Sequence, residues 1–408
     1  MRQLRLGSIG AGARAQAHFG TINGLRDRFE WVAVCDVAAE RAAAAASKYG
    51  LHPYTDLEEM LKSERLDVVD VVVPMEGAHI VGACCARHGV NVHSETAISS
   101  TLPCADYLIE ACQRNGVLLE VSEQVWRWPF EVMKQRIIAA DLIGPVVRAY
   151  VIGTTAGYHA FNAIRTVIAG QPVLARGLTR DWPVDLIGRD GKPTDTESWH
   201  LAIVEFDDGA LGINETASTY WAPLRNTRPT WMEVAGAKGS IDGPFTWTGH
   251  KATTLRLQGP DGSVRNYPVE CETIERDGKP VPLVYRVETD PPITYQNPFA
   301  DRPLNWAADW RNSYNEIAVA SQLTGLYNGI VNGTAPGYGW RNARQDQELN
   351  IACRESGRRG GEPVPLPLRG ITEYERGLHE QFRERWGGDP LEDVDKLLHT
   401  MFTPGYRR

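Results

Sequence analysis

The chain has 408 residues, 42% of them hydrophobic and 23% charged, with a formal net charge of −8. That length is more than one core usually covers and predicts two domains, while the acidic balance argues against a general nucleic-acid binder, which needs a basic face. No apolar run approaches the roughly 18 residues of a membrane span. The chain enters a strand pattern at once, without a signal-peptide core, so no membrane association and a cytoplasmic location are the expectation.

In chain order, residues 3–9, 31–35, 67–73, 90–93 and 117–121 are short apolar runs rich in Val, Ile and Leu. Helical patterns separate them at 13–24, 38–48, 56–63, 79–88 and 103–114. Such alternation predicts an α/β domain over residues 1–124, with a parallel sheet covered on both faces. A helix over 130–140, a strand at 146–153 and a helix at 159–169 follow. Strand-like segments then succeed one another at 173–179, 199–206, 211–218, 230–235 and 253–258, with turn signals such as Asp207-Asp208-Gly209. They predict an α+β domain over 125–370 with a mostly antiparallel open sheet. The Pro-rich stretch 274–308 reads as a long irregular loop. Helices return at 309–329 and 343–357, and residues 371–408 form a helical extension with two more. The seven cysteines contain no Cys-x-x-Cys pair and read as small core residues rather than ligands.

Gly10-Ala11-Gly12-Ala13-Arg14-Ala15 is a Gly-x-Gly-x-x-Ala between a predicted strand and a predicted helix, the context a dinucleotide-binding loop requires. Gly10 permits the tight turn, Gly12 lets the backbone approach a diphosphate, and Ala15 allows close helix–strand packing. The helix start offers free N–H groups to the phosphates. Asp36, 24 residues past Gly12, is placed to accept ribose hydroxyls and to repel a 2′-phosphate, favouring NAD over NADP. Arg14 and Arg41 are cations near enough to temper that preference. The fold expected of the first domain is therefore a Rossmann fold.

With these pieces in order, the chain resembles the glucose–fructose oxidoreductase/inositol dehydrogenase/MocA (Gfo/Idh/MocA) family. The resemblance rests on "GSIGAGARA" (7–15), "VVVPMEGAH" (71–79), "HGVNVHSETAIS" (88–99) and "AGYHAFNAIRTVIAG" (156–170), with support from "MEVAGAKGSIDG" (232–243) and residues 342–368. It implies a sugar or polyol oxidoreductase using NAD(P). Its second domain would floor the substrate pocket and commonly form an oligomer interface, so a homo-oligomer (dimer or tetramer) is expected. By position, Pro74 and His79 match a loop beside the cofactor, Glu95 the glutamate near the nicotinamide ribose, and His159 the histidine facing substrate. Thr96 and Ala97 stand where the family has its catalytic lysine and a proline, and Thr155 where it has an aspartate.

A threonine hydroxyl cannot act as a base at neutral pH. The resemblance therefore leaves His159 as the acid/base candidate, with Tyr158 next to it and Thr96 at most a relay. Trp126 and Arg127, after the fifth strand, are candidates to hold a carbohydrate-like substrate, with Thr155 on the same side. His93 reads as a packed strand-end residue, His18 has no partner pattern, and no metal site is expected. Three functions compete. The first is an NAD(P)-dependent oxidoreductase of a sugar, polyol or glycoside-like alcohol. The second is an NAD-dependent glycosidase or lyase that oxidises transiently and eliminates. The third is a non-catalytic sugar- or NAD-sensing homologue.

Overall fold

A computed structural model describes residues 2–153, 157–188, 191–219, 230–245 and 253–403. The first part runs β1 (Leu4–Ile9), α1 (Ala13–Gly24), β2 (Phe29–Cys35), α2 (Ala39–Tyr49), β3 (His52–Tyr54), α3 (Leu57–Glu64), β4 (Val68–Val71), α4 (Met75–Arg87), β5 (Asn91–Ser94), α5 (Leu102–Arg114) and β6 (Leu119–Val121). The six strands pair in parallel in the order β3-β2-β1-β4-β5-β6. The order reverses between β1 and β4, which opens a crevice at their carboxyl ends. All four residues of β4 are buried, as a strand covered on both faces requires. The sequence reading missed β3; its three residues, one of them Pro53, sit at the sheet edge, where a lost N–H is tolerated.

The second part contains α6 (Pro129–Ala139), β7 (Val146–Gly153), α7 (Gly157–Val167), β8 (Pro172–Ile187), β9 (Pro193–Phe206), β10 (Leu211–Ala217), β11 (Trp231–Gly236), β12 (Gly239–Pro244), β13 (Thr254–Gln258), β14 (Val264–Pro268), β15 (Glu270–Arg276), β16 (Lys279–Val287), β17 (Ile293–Gln296), α8 (Tyr314–Asn332), α9 (Gly339–Arg358), β18 (Val364–Pro365), α10 (Glu373–Trp386) and α11 (Val394–Leu397). Its large sheet runs β14-β13-β12-β11-β7-β10-β9-β8-β18. Every neighbouring pair is antiparallel except β7 with β10. Buried Val151, Phe161, Ile164, Val204, Met232 and Leu349 share the core between this sheet and its helices.

Much of the stretch expected to be an irregular loop is instead a three-stranded antiparallel sheet, β15-β16-β17. Prolines 280 and 282 hid the strand, yet Asp277-Gly278 was its signal: both residues have positive φ (+51° and +72°), as a two-residue type I′ hairpin turn demands.

The chain then returns to the first sheet. Phe299, Leu304, Trp306, Ile317 and Leu323 join Phe19 and Trp31 on one face. Tyr338, Phe382, Leu397 and Phe402 join Ile80, Cys84 and Leu108 on the other. Six of the seven cysteines are buried and all are free. Among the described residues no helix is long and apolar enough to cross a membrane.

Candidate functional site

The β1–α1 loop turns at Gly10, whose φ of +89° belongs to glycine; a Cβ there would lie 2.2 Å from the Val72 carbonyl oxygen. Its N–H donates to the Cys35 carbonyl at 2.8 Å, tying the loop to β2. Gly12 caps α1, and a Cβ built on it would meet nothing within 4 Å, so its backbone faces open cleft. The first turn of α1 has no acidic side chain and no side-chain cap, which leaves its N–H groups and positive dipole end for an anion. Ala15 is fully buried under the helix. These residues fit the diphosphate of a dinucleotide.

Asp36 lies just past β2. Its Oδ2 accepts from the Ala11 N–H (2.8 Å) and from Arg41 Nε (3.0 Å), and its Oδ1 from the Ala38 N–H (2.8 Å) and Arg41 Nη2 (2.7 Å). Burial alone would raise its pKa, but Arg41 and the two N–H groups hold it below the usual carboxylate range. A carboxylate has about four lone-pair sites, and all are engaged here. Ribose hydroxyls can therefore bind Asp36 once Arg41 turns aside, a coupling that spacing alone does not reveal.

A line of ionisable groups leads from the sheet interior to the cleft. Glu95, after β5, pairs with Arg14 from the first turn of α1 and lies 3.4 Å from Nε2 of His18. His18 Nδ1 is 3.0 Å from Asp70 Oδ1, which is 2.7 Å from Nδ1 of His93. Asp70 and His93 are register partners across β4 and β5. His18, Asp70 and His93 are fully buried. Burial would lower the His18 pKa, but Asp70 and then Glu95 outweigh it and hold it at about 9. Burial would raise Glu95, but Arg14 and His18 bring it to about 2. Asp70 is likewise held far below the carboxylate range by the two imidazoles, against burial. The ligand atoms of His18, Asp70 and His93 lie within 4.8 Å of one another, close enough for a cation to share, but their direct contacts are hydrogen bonds. Glu95 is thereby fixed as an anion in the cleft wall.

Thr96 follows in the same wall, its peptide to Ala97 cis. His159, on the first turn of α7, turns Nδ1 to the Glu123 carboxylate, 2.9 Å from Oε1 and 2.8 Å from Oε2. Glu123 is 1% exposed and the imidazole 21%. The Val125 N–H also donates to Glu123 Oε1 at 3.0 Å, while Gln322 of α8 donates to its main-chain carbonyl. A carboxylate on Nδ1 fixes the tautomer and leaves Nε2 as the basic nitrogen. The Tyr158 ring lies 4.4 Å from the imidazole, centroid to centroid. One cleft of about 1110 Å³ takes in Gly12 and Asp36 at one end and Thr96, Tyr158 and His159 at the other.

Pro74 lines this cleft, but three other expected residues do not. His79 is fully buried and donates from Nε2 to the Pro390 carbonyl at 2.8 Å, so it holds the C-terminal extension rather than a cofactor. Burial lowers its pKa to about 4. Trp126 stacks on Tyr338 at 5.9 Å and carries the Arg127 guanidinium 3.8 Å above its ring. The short helical turn Val125–Arg127 directs both side chains to the domain junction, and Trp128 enters the cleft instead. Thr155 lies outside the described residues. Sequence reasoning missed Glu123, the His18–Asp70 pair, the α9 residues Gln347, Asn350 and Arg354, and the wall formed by Leu398–Thr403. Glu123 stands three residues before Trp126, but nothing in its spacing pairs it with a histidine 36 residues away.

Residues 4–123 match the family described as "Oxidoreductase family, NAD-binding Rossmann fold" (Gfo/Idh/MocA). Over 170 residues, 41% of this chain, the sequence is 34% identical to a D-apiose dehydrogenase of Paraburkholderia graminis; the match spans 43% of that relative's length. Over 259 residues it is 25% identical to the scyllo-inositol 2-dehydrogenase (NADP(+)) IolU of Bacillus subtilis, covering 59% of this chain and 75% of that one. The fold of the WlbA dehydrogenase from Bordetella pertussis, solved in complex with NADH and UDP-GlcNAcA, superposes with a TM-score of 0.64 at 18% identity, covering 90% of this chain and all of that one.

Proposed function

We propose that this chain, whose residues 4–123 match the Gfo/Idh/MocA oxidoreductase family, is an NAD-dependent dehydrogenase of a sugar, polyol or glycoside-like alcohol. Bound NAD would supply the hydride acceptor. Gly10, Gly12 and the start of α1 would hold its diphosphate, Asp36 its adenosine ribose and Glu95 its nicotinamide ribose. His159 Nε2 takes the proton of the substrate hydroxyl, and Glu123 stabilises the imidazolium that results. Thr96, at most a relay, orients the hydroxyl. The observation that carries this reading is the Glu123–His159 contact at 2.8 Å within the cleft that holds the dinucleotide loop.

The test is NADH absorbance with the intact protein, NAD and a panel of aldoses, polyols and glycosides. Turnover that His159→Ala abolishes while NAD still binds supports the reading; silence across the panel with NAD bound counts against it. The replacement of the family's lysine by Thr96 favours one second reading. After transient oxidation the same imidazole would take the proton from the neighbouring carbon, a leaving group would depart, and the hydride would later return to the oxidised carbon, leaving no net NADH. Solvent deuterium at that carbon would identify it. The exposed Val147, Leu178, Trp182 and Ile187 of the open sheet support a homo-oligomer, and a cytoplasmic location accords with a soluble redox coenzyme.

A further inference from the structure

The crevice of an open parallel sheet is walled by the loops that leave the strand ends. Here the adenosine side has an additional wall. Leu398, His399, Thr400, Met401, Phe402 and Thr403 line the same cleft as Asp36, Arg41, Thr55 and Leu57, which mark where β2 and β3 end. This segment is firmly seated. Phe402 packs on the first turn of α4 at Gly77, where a Cβ would lie 2.4 Å from its ring. The Trp386 and Phe382 rings stand 5.1 and 6.1 Å from Phe402, and Arg385 Nη2 donates to the Thr403 hydroxyl at 2.7 Å. Behind it, Arg87 pairs with Asp395 at 2.8 Å and His79 donates to the Pro390 carbonyl. The same α4 begins in the cleft at Pro74 and Met75, so strap and cleft wall share one anchor.

We propose that Leu398–Thr403 form the outer wall of the adenosine pocket, a part of the coenzyme site supplied by the C-terminal extension rather than by the dinucleotide-binding domain. Leu398 and Phe402 turn apolar groups inward beside Leu57, while Met401 stays 47% exposed and offers a polarisable thioether to a flat purine face. The wall recognises the adenine half of the ligand and has no part in the proton chemistry at His159. The inference rests on the dinucleotide reading of the cleft.

Calorimetric titration of the full chain with NAD and with ADP-ribose tests it. Met401→Asp, at an exposed position that leaves the packing of Phe402 intact, is expected to weaken both ligands about tenfold, or roughly 1.4 kcal/mol, with an unchanged unfolding temperature. Phe402→Ala, which frees the strap, weakens both at least as much. Equal losses are expected because the two ligands share the half that the strap touches. Affinities within twofold of the parent in both variants overturn the proposal, as does a loss for NAD without one for ADP-ribose. If the parent chain binds neither ligand, the dinucleotide reading itself fails, an outcome distinct from an intact site indifferent to its strap.

Discussion

His18→Gln should remove a specific part of the pH dependence of stability. His18 is enclosed between Asp70 and Glu95, which outweigh burial and raise its pKa from 6.5 to about 9 in the folded chain. A group raised on folding stabilises fully below its unfolded pKa, and the contribution is lost as pH rises through the folded value. Here that window runs from 6.5 to about 9. At about 1.4 kcal/mol per pH unit, the rise amounts to about 3 kcal/mol. Glutamine can hydrogen-bond but carries no proton to lose. The variant is thus less stable than the parent at pH 6, by at least that amount with two carboxylates left buried, and the gap narrows by about 3 kcal/mol towards pH 9.5. Glu120, raised by burial to about 8, also titrates in this range but does so in both proteins and cancels in the difference. Urea unfolding read by tryptophan fluorescence suits the measurement, since Trp31 packs 5.1 Å from Phe19 on the same helix as His18. Parallel stability curves, with a gap constant to within about 0.5 kcal/mol, would refute a protonated His18.

Three further outcomes are expected. Glu123→Gln keeps the shape beside His159 but removes the charge that stabilises the imidazolium, so kcat should fall roughly 10²–10⁴-fold with NAD affinity unchanged; steady-state rates within twofold of the parent would exclude the dyad. Arg41→Ala frees two acceptor sites on Asp36, so NAD should bind up to about tenfold tighter and NADP weaker by calorimetry; an unchanged ratio would show that Arg41 does not gate the ribose. Gly10→Ala forces a Cβ to 2.2 Å from the Val72 carbonyl at φ +89°, which should cost more than about 2 kcal/mol of stability and abolish coenzyme binding in a thermal-shift titration.

The sequence made the first domain legible because its signals are local: apolar strand runs, helices of regular spacing, and a glycine loop set between them. Gly10, Gly12, Arg14 and Asp36, read from that loop, and Pro74 and Glu95, placed by the family resemblance, all line one cleft. What failed needed tertiary information. Asp70 and His93 become partners through parallel register, and His18 joins them from a helix packed over the sheet. His79 was aligned with a cofactor loop, yet a carbonyl 311 residues along the chain claims it. Trp126 and Trp128 are two residues apart, and whether each meets the cleft or the domain junction depends on a single short helical turn that composition does not announce. The β15–β17 sheet was lost for the opposite reason: prolines outweighed a clear Asp-Gly turn.

The Glu123–His159 pair joins two parts of the chain that lie far apart in sequence. Thr96 in the cleft wall cannot ionise near neutrality, and the histidine takes its carboxylate partner from a distant element. Glu123 supplies it from the loop after β6, on the dinucleotide side of the cleft, while His159 stands on α7 of the second domain. The dyad therefore bridges the two domains. Gln322 of α8 and the Val125 N–H hold the glutamate in place, and neither belongs to the element that carries the histidine. A change of a few tenths of an ångström in how the domains meet alters a 2.8 Å contact between a carboxylate and an imidazole. In an arrangement with histidine and carboxylate on one helix, that contact would be set locally; here it depends on the domain junction, which is also where Trp126, Arg127 and Tyr338 pack. Substitutions at Trp126 are thus expected to lower kcat although the side chain does not line the cleft, and a kcat that stays fixed while stability falls would separate the dyad from the junction.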